Sequence, residues 1–177
     1  SMKKIRALLF ILAGVFVFSF AGCSNGGTFT EKSYSSGESE IKSVSIDVTD
    51  RELEIGTSED GQIHVKYFDS EKEYLDISVS ENQELLIKLV IDKDWTDYIG
   101  TKPSAEYRKI AVEIPDGLLV SFTAKTTNEN IKVNPLSFAE SVSLDSNGGD
   151  VTFERVSVGK SVSLTAKNGN IQGTLIG

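Results

Sequence analysis

The chain has 177 residues, with 18 basic against 26 acidic side chains and a formal net charge of −8. That balance argues against nucleic acid, and against direct charge-driven binding to anionic lipid. One cysteine rules out an intrachain disulfide and a thiolate metal cluster, and one histidine leaves a zinc site or a Ser-His-Asp triad without support.

The N-terminus opens with Lys3, Lys4 and Arg6, then an apolar run from Ala7 to Phe18, then Ser19-Phe20-Ala21-Gly22-Cys23. A basic start, an apolar centre and a small-residue exit make residues 1–22 a secretory signal peptide. The cysteine directly after Ala21-Gly22 resembles the bacterial lipobox, although Phe20 stands where Leu is usual. The resemblance implies cleavage before Cys23 and a diacylglycerol on its thiol. Two acyl chains hold a protein firmly at a bilayer, where one does not. The expected location is therefore the cell membrane, lipid-anchored, on its extracytoplasmic face. Removing the three leader cations leaves −11 on the exported part.

Residues 23–40 carry the lipidated cysteine and a stretch rich in Ser, Gly, Thr, Asn and Glu, which reads as a flexible tether. The folded domain is expected from 41 to 177. Its opening is strand after strand: Val44-Ser-Ile46-Asp-Val48, Leu53-Glu-Ile55, Ile63-His64-Val65-Lys-Tyr67, Tyr74-Leu-Asp-Ile77-Ser-Val79, Leu85-Leu-Ile87-Lys-Leu89 and Ile110-Ala-Val112-Glu-Ile114. Alternation of period two with β-branched residues predicts half-buried strands, here read as a β-meander. His64 faces opposite to Ile63 and Val65, which predicts a solvent-exposed imidazole.

The exception is 92–107, a long connection that carries Trp95 and Tyr98. Loops of this length are often functional, and their aromatics can stack on sugars or anchor a partner. Trp95 and Tyr98 are the candidate partner-binding residues; the plain alternative is that they fold back over the core. Asp92, Asp94 and Asp97 lack the glycine and distal glutamate of a calcium loop, so no metal and no cofactor is assigned.

The last third repeats. Residues 131–144 align with 151–164 at a spacing of 20, with Ser-Val-Ser-Leu unchanged, and a third copy starts at Ile171, Gly173 and Ile176. Between the copies sit Asn128-Glu129-Asn130, Asn147-Gly148-Gly149-Asp150 and Asn168-Gly169-Asn170. A fixed period with turn residues between strands predicts an all-β stack, a β-solenoid of single-stranded β-helix type, over about 120–177. An antiparallel meander with Asn-Gly hairpins is the alternative. In the stack, strands lie ~4.8 Å apart. Val142 falls over Val162, Leu144 over Leu164, and Val151 over Ile171, making these six the structural repeat core. The outward positions stack as Lys132/Thr152/Gln172 and Asn134/Glu154/Thr174, without the pair of acids a glycosidase requires. The chain stops in mid-coil, so either the natural protein is expected to continue past Gly177 or the last coil pairs with something else.

With Val112-Glu-Ile114-Pro115, Val120-Ser-Phe122, Val142-Ser-Leu144…Gly149-Asp150-Val151 and Val162-Ser-Leu164…Asn168-Gly169-Asn170-Ile171, the chain resembles the bacterial "putative-adhesin" family of unknown function. The resemblance spans roughly 41–177. It implies an envelope-associated domain of stacked strands, in some members linked to envelope stress, and transfers no active-site residues. Together these features predict a non-enzymatic, membrane-anchored lipoprotein that binds or scaffolds at the cell envelope. Its partners would be the membrane, through the lipid, and an envelope protein, peptide or glycan. The alternative is an envelope-stress sensor that binds a peptide or protein; a polysaccharide-active enzyme ranks last.

Overall fold

Two parallel-stacked sheets face each other across one apolar core in the computed structural model, which describes residues 28–94, 96 and 102–176 and the backbone of Phe16–Val17. The strands are β1 (Phe16–Val17), β2 (Thr30–Ser35), β3 (Ser43–Asp47), β4 (Glu52–Ser58), β5 (His64–Asp69), β6 (Glu73–Val79), β7 (Glu84–Ile91) and β8 (Lys109–Pro115). There follow β9 (Ser121–Thr127), β10 (Ile131–Val133), β11 (Leu136–Phe138), β12 (Ser141–Asn147), β13 (Val151–Val158), β14 (Ser161–Ala166) and β15 (Ile171–Ile176). The first sheet runs β1-β2-β5-β8-β4-β10-β13-β11, with β15 also on β13; the second runs β14-β12-β9-β3-β7-β6.

The 20-residue spacing sets the stack. Val142 lies over Val162 and Leu144 over Leu164 in the second sheet, while Ile131, Val151 and Ile171 align in the first. The coils reach further back than the repeat does. β3 lies parallel between β7 and β9, and β4 parallel between β8 and β10. Leu53 thus meets both Ile110 and Ile131, and Val44 meets both Leu85 and Phe122. The earliest coil in sequence sits inside the stack, so its neighbours share no 20-residue offset with it. Among the described residues, antiparallel pairing is confined to the other end, where β1 pairs with β2, β5 with β2 and β8, and β6 with β7.

The core follows the alternation. Ile46, Leu53, Ile55, Leu85, Ile87, Ile131 and Val151 are all fully buried. Val142 and Leu144 are buried too, as expected. Val162 and Ile171, in perfect register with them, are exposed at 38% and 47%, and Leu164 is only partly buried. The cause is geometric: no described coil lies over β14 and β15.

The turns between coils carry their own ladder. Asn130 Oδ1 accepts the Asp150 N–H at 2.9 Å, and Asp150 Oδ1 accepts the Asn170 N–H at 2.9 Å. Each turn side chain therefore satisfies a backbone donor one coil along, which explains why Asx residues return there. Asn128 takes the left-handed conformation (φ 59°) at the position that Gly148 (φ 102°) fills in the next coil. Asn is the residue other than glycine that tolerates this region.

Three expectations are corrected. Residues 23–40 are not all tether: Phe29 is buried, β2 pairs with β5 over six residues, and Tyr34 and Ser36 are buried. Two aromatics in a polar stretch suffice, because Phe29 stacks on Tyr107 (5.2 Å between centroids) and Tyr34 joins the core. The third repeat keeps register only to Gly173. Glu154 and Arg155 of β13 together oppose Thr174, so Leu175, and not Ile176, meets Val156. Arg155, at φ 44°, marks this bulge. Finally, His64 is half-buried rather than solvent-exposed, and both ring nitrogens are held by hydrogen bonds, as shown below.

Candidate functional site: an outward groove and two polar clusters

An open groove of about 590 Å³ lies along the face formed by β10, β13 and β15. Its rungs are Lys132, Thr152 and Gln172, aligned in register across three strands as the repeat predicts. Beside them stand Glu154, Arg155 and Thr174, with Val133, Pro135 and Phe153 as the apolar part of the lining. The bulge at Arg155 makes this side irregular: the extra residue bends β13 and re-aims the side chains around it. Gly173 completes the shape. A Cβ there would collide with the Phe153 carbonyl and ring, so glycine leaves the ring its place.

The groove offers two cations, one carboxylate, hydroxyls and an amide above a partly apolar floor. It can donate to and accept from an extended polar ligand at strand spacing, ~4.8 Å per rung. It does not bring two acids together, so it has no glycosidase pair.

A second cluster sits between β2 and β5. Ser35 and His64 are cross-strand partners, with Ser35 Oγ 2.8 Å from His64 Nδ1. His64 Nε2 lies 2.6 Å from Asp60 Oδ2. Asp60 Oδ1 also accepts the Gln62 N–H (3.0 Å) and the Ser58 hydroxyl (2.8 Å). The Gln62 N–H first, then the Ser58 hydroxyl and His64, hold the Asp60 carboxyl below the usual range. This serine–histidine–aspartate row was not anticipated, because Ser35 lay in the presumed tether. Its geometry suits a fastening better than a nucleophile. The N–H of Ser36, next to Ser35, is spent on the Ile63 carbonyl (2.9 Å), and Asp60 is half exposed. An acyl-transfer site would place free backbone donors beside the hydroxyl.

The third cluster lies at the turn after β3. Arg51, 2% exposed, reaches Glu73, 6% exposed, at 3.7 Å, and Lys93 reaches the other Glu73 oxygen at 3.0 Å. Arg51 Nη1 donates to the Thr49 and Asp50 carbonyls, while Nη2 has no hydrogen-bond partner among the described residues. Burial lowers the Arg51 pKa, and Glu73 opposes that shift. Arg108 pairs with Glu129 nearby, and Lys102 with Asp50 at 3.6 Å. The last two pairs fasten Lys102 and Arg108, at the end of the connection that carries the 3₁₀ turn Ala105–Arg108, to the coil turns.

Cys23, Trp95 and Tyr98 lie outside the described residues, so none is placed in a site. Among the described residues no group of three His, Cys, Asp or Glu side chains could hold a metal ion, and no helix is long and apolar enough to cross a membrane.

The family model described as Toastrack DUF4097 matches residues 41–175. Three solved structures resemble the chain. A "putative cell adhesion protein" from Clostridium sporogenes is 12% identical, with a TM-score of 0.47, covering 85% of this chain and 100% of that one. A "putative adhesin" from Parabacteroides distasonis is 14% identical, with a TM-score of 0.39, covering 84% of this chain and 69% of that one. A "putative adhesin" from Bacteroides fragilis is 12% identical, with a TM-score of 0.27, covering 82% and 97% respectively. No curated protein matches the chain.

Proposed function

We propose, for a chain that belongs to the Toastrack DUF4097 family, that it is a membrane-anchored binding module of the cell envelope rather than an enzyme. The adhesin-like stack is its scaffold, and the groove across β10, β13 and β15 is its contact surface. One observation carries this reading: the repeat that builds the core also lines up Lys132, Thr152 and Gln172 as outward rungs beside the Arg155 bulge. A left-handed non-glycine residue costs of order 1–3 kcal/mol, and such strain clusters at functional sites. The sequence around Cys23 supports attachment through a lipid on the outer face of the membrane. The partner is an extended polar chain of the envelope, glycan or peptide, met by hydrogen bonds and two cations.

The test is co-sedimentation of the protein with isolated envelope material, wild type against the double variant Lys132→Ala/Arg155→Ala. The reading expects at least fivefold weaker binding in the variant at unchanged melting temperature. Equal binding by both proteins would sink the groove as the contact surface.

A further inference from the structure

We propose that the β2 end of the stack is the membrane-proximal end of this protein and that the groove is held toward the far end, at a distance from the bilayer. The inference rests on the reading of Cys23 as the anchor and goes beyond it by assigning an orientation.

The argument starts from where the chain becomes fixed. If the tether ran free to residue 40, its 17 residues beyond Cys23 could span roughly 56–61 Å, and the domain could turn any face to the membrane. It does not run free. Phe29 is 2% exposed and stacked on Tyr107, with the Phe68 ring edge-on to Tyr107 at 5.3 Å. β2 then zips onto β5 from Thr30↔Asp69 to Ser35↔His64. Lys32 adds an ion pair to buried Asp69 at 3.1 Å, and Ser35 adds the bond to His64 at 2.8 Å. Phe29 lies only six residues beyond Cys23, a reach of roughly 20 Å even when fully extended. The corner formed by Phe29, Phe68 and Tyr107 is therefore tied close to the acyl chains.

The far end follows from strand order. Going β2-β5-β8-β4-β10-β13-β15 takes six strand spacings, roughly 29 Å. The Thr152 rung lies five spacings out, on β13. The exported part carries −11, so an anionic bilayer repels the body while the short tie holds the corner down. The β2 strand lies outside residues 41–175, which the family model covers.

Energy transfer measures the orientation directly. A fluorescent amino acid is incorporated at position 31, on β2, or at position 152, on the groove, in the full-length protein. The protein is bound to phosphatidylcholine/phosphatidylglycerol vesicles that carry an acceptor headgroup. The expected result is at least threefold more efficient transfer from position 31 than from 152, with the difference shrinking in Phe29→Ala, which loosens the tie. Equal transfer from both positions, or stronger transfer from 152, overturns the proposal. The anchor is tested separately, by flotation of cell-made wild type against Cys23→Ala. If flotation fails, coupling Cys23 to a maleimide lipid imposes the anchor chemically, and the transfer experiment still decides the orientation.

Discussion

The carbonyl oxygen of Glu129 occupies the space where a side chain on Gly149 would begin, one coil away in the stack. Ser146 closes the same corner: its hydroxyl donates to Glu129 O at 2.6 Å and accepts the Gly149 N–H at 3.2 Å. Backbone cannot yield as a flexible side chain can, so Gly149→Ala should force the two coils apart and cost roughly 2–3 kcal/mol. Gly56→Ala is the control. Its added methyl would meet only Asn134 Nδ2, at an ordinary 3.5 Å. Urea unfolding of both variants checks the contrast; equal midpoints would mean that the Gly149 turn does not pack as described.

Leu144 and Leu164 hold the same place in consecutive coils yet should respond differently. Leu144 is fully buried, while Leu164 sits in the last described coil with only one neighbour strand. Leu144→Ala should cost roughly 2–5 kcal/mol as a cavity in a packed core. Leu164→Ala should cost about 1 kcal/mol, since less area leaves water in the folded state. Thermal unfolding of the two variants side by side tests the gradient along the stack.

Much of this was readable from the chain. The identical spacing of Val142 and Leu144 with Val162 and Leu164 announces parallel stacking, because only a coil-on-coil arrangement brings those residues together. The Asn-rich turns announce where each coil bends. The bulge was hidden, because Thr174 opposes Glu154 and Arg155 through a conformational choice that no residue pattern marks. The insertion of β3–β4 between β7–β8 and β9–β10 was hidden for a different reason. Val44 and Leu85 pair in register across a non-repeating connection, and periodicity reports only neighbours at a constant offset. The fastening at β2 was masked by composition: Phe29 and Tyr34 stand among polar residues, and their partners Tyr107 and Val65 are distant in sequence.

Phe29 should be worth far more than its surroundings suggest. Removing a buried aromatic typically costs 3–5 kcal/mol. Its ring is stacked on Tyr107, so Phe29→Ala should cost roughly 3 kcal/mol and raise amide exchange across Thr30–Ser35 and β5. A chain beginning at residue 41 should be destabilised at least as much as Phe29→Ala. Unchanged exchange in β5 would mean that β2 does not hold that edge.

The two pH limbs should have separate owners. On the alkaline side, burial, aided by the Asp69 charge, pushes the Tyr67 phenol up to about 12. A raised folded-state pKa means that folding favours the neutral phenol. Its contribution is whole below the ordinary tyrosine range near 10 and is lost as pH rises toward about 12. Absorbance titration should show late phenol ionisation, and Tyr67→Phe should remove the latest part of it while leaving that of Tyr34, which burial also raises. On the acid side, the depressed Asp60 carboxyl contributes above the ordinary carboxylate range, and that contribution is lost as pH falls through its lowered pKa. Because Asp60 is exposed and solvent screens it, Asp60→Asn should shrink the acid limb of stability against pH only slightly, leaving the share of Glu54, lowered by its bond to Lys109, and leaving the alkaline limb in place.

Glu73 is the more dangerous half of its pair with Arg51. Both side chains are buried, the separation of 3.7 Å is long, and one guanidinium nitrogen has no hydrogen-bond partner among the described residues. Glu73 also holds Lys93 at 3.0 Å, so one carboxylate answers two cations. Glu73→Gln would leave Arg51 buried without its counter-charge, which typically costs 3–5 kcal/mol. Arg51→Met removes the buried charge and fills similar volume with apolar atoms. It leaves Glu73 paired to Lys93, and should therefore cost less than about 1 kcal/mol or even stabilise. Chemical denaturation of the two single variants gives the comparison. Equal losses would assign the cost to the hydrogen bonds that Arg51 Nη1 makes to the Thr49 and Asp50 carbonyls, and not to the charge pair.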